Sequence, residues 1–144
     1  MPAVDDDIVA QMQVDIAAAI PALLTVDNRR SLVWRKGDAV PGVILSSQEI
    51  SREVLGNEDN QAWLVMYTIN IMYINYSNSI RDDPTVSMQV ETLRNLYNGY
   101  PDLVVTGVKI NDINYETPGN TANMVRKGVE HVPITYTVET IEAR

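Results

Sequence analysis

The chain has 144 residues, 45% of them hydrophobic and 21% charged, with a formal charge of −8 and no cysteine. This balance suits a single folded domain over residues 1–144. The missing cysteine excludes disulfides, thiolate nucleophiles and cysteine-ligated zinc or iron–sulfur sites, and fits synthesis in a reducing cytoplasm. A negative charge of this size argues against specific nucleic-acid binding, because phosphate contacts require a basic surface.

The acidic start, Asp5-Asp6-Asp7, is unlike a secretory signal, and no apolar run approaches the ~20 residues that cross a bilayer. Neither export nor a membrane partner is expected. Residues 5–20 predict a helix, with Ile8, Met12, Ile16 and Ala19 on one face, the three aspartates in its first turn and Pro21 at its end. Beyond the turn-like Asp27-Asn28, Leu32-Val33-Trp34 reads as a short strand. Gly37-Asp38 and Pro41-Gly42 mark a loop into Val43-Ile44-Leu45, a plausible hairpin. The stretch 46–60 fits either a capped helix or a continuing strand, and the strand is favoured.

Residues 62–76 alternate strictly. Trp63, Val65, Tyr67, Ile69, Ile71 and Tyr73 form one apolar face, while the even positions are apolar at both ends and polar at Thr68 and Asn70. A second helix is expected near 84–98, capped by Asp83 with Pro84 in its first turn, and Val86, Val90, Leu93 and Tyr97 form its buried stripe. Residues 103–110 predict a strand with Val104, Thr106, Val108 and Ile110 on one face. The polar segment 111–128 reads as an extended loop or arm, with at most a brief strand at Ile113 to Tyr115. A last strand at 132–141 turns Val132, Ile134, Tyr136 and Val138 inward, and Pro133 puts its start at a sheet edge. The expected class is α+β, a mostly antiparallel sheet flanked by an N-terminal helix and a second helix.

A straight strand over 62–76 would reach about 50 Å, against a compact body roughly 37 Å across. Either a bulge near Thr68 and Asn70 bends it around the first helix, or it projects, with its apolar end Met72 to Tyr76 buried against another subunit. The seven tyrosines and the absence of phenylalanine also suit sites that are apolar at one end and wet at the other.

Most catalytic and metal chemistry lacks its residues here. His131 is the single histidine, read as satisfied or solvent-exposed at the start of the last strand. No nucleophile elbow, phosphate loop or dinucleotide fingerprint occurs. A converging carboxylate pair stays open, with nothing to select one. Asp112-x-Asn114-x-Glu116 resembles part of a calcium loop but lacks its glycine and final glutamate. Arg29, Arg30, Arg35 and Lys36 form the local basic group, read as a solvated loop face. The chain is therefore read as not an enzyme, without cofactor or metal.

Taken together, an N-terminal helix, strands through 32–76, a helix at 84–98, an extended loop and a final strand ending in TYTVETIEAR resemble the small tail-terminator, or tail-to-head joining, proteins of long-tailed bacteriophages. The likeness lies in element order, size and texture and contains no diagnostic motif. It implies a virion protein made in the host cytoplasm, forming a hexameric ring that caps the tail tube and meets a head connector or stopper protein, with DNA passing through the lumen. Such a ring needs heterologous contacts. The long strand pair and the 111–128 loop are expected to supply them, through Met72, Tyr73, Ile74, Tyr76, Tyr115, Met124 and Arg126. Another neck or tail-tube component, a small ligand-binding domain and a cofactor-free enzyme are the alternatives.

Overall fold

A computed structural model describes residues 4–30, 32, 35, 37–56, 61–98, 102–116, 124–126 and 128–143, without the side chains of residues 77, 81, 124 and 126. The elements run α1 (Val4–Ala19), β1 (Thr25–Asn28), β2 (Gly42–Leu55), β3 (Ala62–Tyr76), α2 (Ser77–Asp82), α3 (Pro84–Arg94), β4 (Lys109–Glu116), β5 (Met124–Arg126) and β6 (Val129–Ala143). The strands form one sheet in the order β1-β2-β3-β6-β4, with β5 also paired to β6. Only β1 runs parallel to its neighbour. The fold is α+β, as the sequence predicts.

Helix α1 carries its aspartates in the first turn, where unpaired amides and the positive end of the helix dipole favour them. Its buried face is Ile8, Val9, Met12 and Ile16. Ala19 is exposed and Ile20 is buried in its place.

The first strand departs from expectation. It forms over Thr25–Asn28, parallel to Gly42–Leu45, where Asp27-Asn28 suggests a turn. Leu32 lies outside any strand, and Val33 and Trp34 lie outside the described residues. The β-branched Thr25 and Val26 suit a half-buried pleat, an influence stronger here than the turn preference of Asp27-Asn28.

Strand β3 pairs with β6 without interruption from Ala62↔Ala143 to Tyr76↔Val129. Of the two alternatives, the bulge near Thr68 and Asn70 is absent from β3, and the irregularity falls instead on the partner strand, between Glu49 and Ser51 of β2. The odd residues Val65, Tyr67, Ile69, Ile71 and Tyr73 of β3 and the even residues Val132, Ile134, Tyr136 and Val138 of β6 build the main core with the buried residues of α1 and α3.

Asp83 caps α3 by accepting from the Thr85 amide at 2.9 Å. The helix stops at Arg94, short of residue 98, yet Tyr97 remains buried beyond its end. The strand expected at 103–110 is displaced: Leu103 and Val105 point inward, Val104 is 72% exposed, and a turn with Gly107 at φ 78° precedes β4. A strand cannot run through that left-handed turn. Much of the supposed loop at 111–128 is accordingly strand, in β4 and β5, and residues 117–123 lie outside the described residues.

Pro133 sits in a central strand, not at an edge. On the flank away from β3 it falls between the stretch paired with β5 (Val129–His131) and the stretch paired with β4 (Thr135–Ile141), where that ladder is interrupted.

Candidate functional site

The register of the sheet sorts every strand residue onto one of two faces. One face carries the helices and the main core. On the other, Ile44, Ile74 and Val129 form a small second cluster at the β1 end, with Leu32, Val40 and Met72 packed on it.

The segment that supplies Leu32 and Val40 is held by Arg29. Its guanidinium bonds both Asp38 oxygens, at 2.6 and 2.7 Å, and Asp27 at 2.5 Å, while its backbone amide donates to Leu45 O at 2.8 Å. The Arg35 amide also donates to Asp38, at 2.7 Å. These bonds hold the Asp38 carboxyl at about 2, well below the usual carboxylate range, chiefly through Arg29. The same carboxylates raise the Arg29 pKa further. Of the basic group, Arg29 is therefore consumed in holding the loop, whereas Arg30 and Arg35 are exposed as the sequence suggests and Lys36 lies outside the described residues.

Beyond this small cluster the second face receives no helix among the described residues, since their buried helical side chains all join the main core. Here lie Leu64, Met66, Thr68 and Asn70 of β3 beside Thr135, Thr137, Glu139 and Ile141 of β6, all partly exposed. The row extends to Gln48, Ser51 and Glu53 on β2 and to Asp112, Asn114 and Glu116 on β4. Cross-strand bonds tie it together: Thr135 Oγ1 donates to Asn70 Oδ1 at 3.3 Å, Thr137 Oγ1 to Glu116 Oε1 at 2.8 Å, and the Asn111 amide to Glu139. Among the described strand residues this part of the surface bears four carboxylates, Glu53, Asp112, Glu116 and Glu139, against Lys109. The polar middle of the β3 even positions was its one signal in the sequence.

The sheet also runs past its core. From Gln48 to Val54 strand β2 is exposed, including Ile50 (55%) and Val54 (49%). At this far end Arg52 lies over the Trp63 ring, 5.4 Å from its centroid, and bonds Glu49 at 2.6 Å. On the core side Glu142 accepts from Tyr67 Oη at 2.7 Å and from Thr140 Oγ1 at 2.8 Å. Burial, then Glu142, pushes the Tyr67 phenol well above its ordinary value. The helices leave this end of the core, and these polar contacts close it.

Both borders of the sheet are open. β1 covers β2 only along Gly42–Leu45, so among the described residues no strand pairs with the outer edge of β2 from Ser46 to Leu55. The outer edge of β4 is likewise unpaired among the described residues.

The expected contact residues scatter. Tyr73 and Ile74, at 0% and 2% exposure, are locked in the chain's own two clusters and cannot meet a neighbour. The overhanging end is the exposed end of β2 from Gln48 to Val54, opposite to Met72–Tyr76. Met72 is half-buried on the second cluster, and Tyr115 packs edge-on against Tyr136 at 5.7 Å. Tyr76 is 57% exposed. Met124 and Arg126 place their backbones in β5, their side chains lying outside the described residues.

Catalytic candidates are not brought together. His131 is fully buried. Asp112 and Asn114 stand on a strand and bond each other at 2.9 Å, which is not a calcium loop. Among the described residues no cluster of His, Asp or Glu is arranged to hold a metal, and no helix is long and apolar enough to cross a membrane.

No family model matches the chain, and no curated protein matches it. Among solved structures, a protein known by a sequence identifier rather than a functional name is similar over 96% of both chains, with a TM-score of 0.53 and 19% identity. At that identity the likeness is one of fold.

Proposed function

We propose that the chain is a structural protein of a tailed-phage virion, a tail terminator whose copies close into a ring between the tail tube and the head connector. The observation that carries this reading is a sheet that, among the described residues, carries helices on one face only and has no strand paired with β2 beyond Leu45 or with the outer edge of β4. A monomer gains nothing from two open edges, which are a liability in isolation. A ring of head-to-tail copies uses one border of each subunit against the opposite border of the next.

The bare face gives such a ring its lining. Four carboxylates against one lysine repel phosphate rather than grip it, so DNA passes without being held. Resemblance of the element order to tail terminators supports the same assignment. Another neck or tail-tube component would form a similar ring and differ in what it caps.

Native mass measurement and negative-stain microscopy of the purified chain, alone and mixed with tail tubes, test the proposal. A closed ring of about six copies seated at one end of the tube is expected. A chain that stays monomeric both alone and with tubes overturns it, and a ring that binds along the tube without capping it favours the tube-component reading. Residues Ser87, Met88, Glu91, Thr92 and Asn95 line a groove of about 430 Å³ on α3. Thermal stabilisation by a metabolite there, in a monomeric chain, would favour a ligand-binding role instead.

A further inference from the structure

We infer that neighbouring subunits join by strand pairing, the β2 edge of one copy (Ser46–Leu55) adding to the β4 edge of the next (Lys109–Glu116); this rests on the ring reading above. Strand direction is the main argument. β2 is antiparallel to β3, β3 to β6, and β6 to β4, so the two borders of the sheet run in opposite directions. Setting β2 of one copy beside β4 of another therefore continues the alternation, and antiparallel order passes from subunit to subunit without a break.

The two edges also match in extent, ten residues of β2 against the eight of β4. Each holds backbone donors and acceptors that a second strand satisfies. Both signs of charge stand on each edge: Glu49, Arg52 and Glu53 on β2, and Lys109, Asp112 and Glu116 on β4. Each edge strand also contains a register shift, between Glu49 and Ser51 and between Ile110 and Asp112. Bulges and charges of this kind deter indiscriminate pairing and leave an edge that accepts a fitted partner. Among the described residues helices stand on one face only, so addition at the borders meets none of them on the other and keeps the same faces of successive subunits on one side.

The absence of cysteine makes the test direct. Ser51→Cys is combined in turn with Asn111→Cys, Asp112→Cys and Asn114→Cys, all exposed positions, with each single variant as a control. Circular dichroism confirms folding of each variant, and three β4 positions allow one to fail. Under oxidation, at least one double variant is expected to give a non-reducing ladder that ends at the subunit number of the ring, while the single variants stay uncrosslinked. Dimers from Ser51→Cys alone mean β2-to-β2 pairing and overturn the inference. So does a ring that forms, by native mass, with no ladder in any combination; the ring reading then stands and the edge pairing falls. A chain that is monomeric throughout removes both.

Discussion

Tyr136 joins three parts of the molecule at one hydroxyl. The side chain is fully buried, its Oη donates to Leu93 O at 2.5 Å and accepts from the Leu96 amide at 3.2 Å, and the rings of Tyr97 and Tyr115 stand edge-on to it. A strand residue thereby satisfies backbone groups that the end of α3 would leave unpaired. Tyr136→Phe keeps the ring and strands both groups, at a cost of about 1–3 kcal/mol. Thermal melts should show that loss, with Tm lower by about 2–4 °C for each kcal/mol. Asp38 makes a pH-dependent contribution. Its folded pKa of about 2 lies below the ordinary value of 3.8, so the stability it confers is present above about pH 4 and is lost as pH falls through about 2. Asp38→Asn is expected to cost on the order of 2 kcal/mol at neutral pH and nothing at the acid end, read from denaturant melts across that range.

Among the elements, α3 is the one whose start is written most plainly in the sequence. Asp83 before Pro84 specifies a cap, and the cap bond is there. Asp83→Ala should cost about 0.5–2 kcal/mol, and Asp83→Ser much less, in the same melts. Its end was not legible: helix periodicity carries through Tyr97, because Tyr97 is buried, but it is buried as a loop residue whose hydroxyl bonds Asp15 at 2.6 Å. The run 62–76 was legible in full, since alternation fixes both its length and its inward face. The neighbouring errors share one cause. Leu103, Val104 and Val105 have strand composition but precede a glycine turn, and of Lys109–Glu116 the sequence suggests strand only at Lys109-Ile110 and Ile113–Tyr115, whereas all but Asn111 pair with β6. Edge strands are polar because solvent covers one side of them, so the edge β4 read as an arm. Contact residues fared worst. Apolar character marked Tyr73 and Ile74, which proved to be core, whereas the bare face is half polar and becomes visible only when the register aligns four strands.

For the molecule as a whole, the proposed lumen predicts a charge effect separable from stability. Glu53→Lys, Asp112→Lys and Glu139→Lys together turn the bare face basic. The triple variant should retain duplex DNA at low salt and release it as salt rises, while the parent chain shows no retention in the same filter-binding assay. Equal behaviour of the two would count against the face as a DNA passage. The pairing at the centre of the sheet has a further consequence, for the speed of folding. Ile69 meets Tyr136, and no strand between them in sequence lies between them in space. The central ladder must therefore close a long loop before it gains any return in contacts, which places refolding in the millisecond-to-second range rather than in microseconds. Until β6 arrives, the apolar length of β3 stands uncovered on one side. The interval before closure is thus when the chain is most exposed to aggregation, and stopped-flow refolding at rising protein concentration would measure how long it lasts.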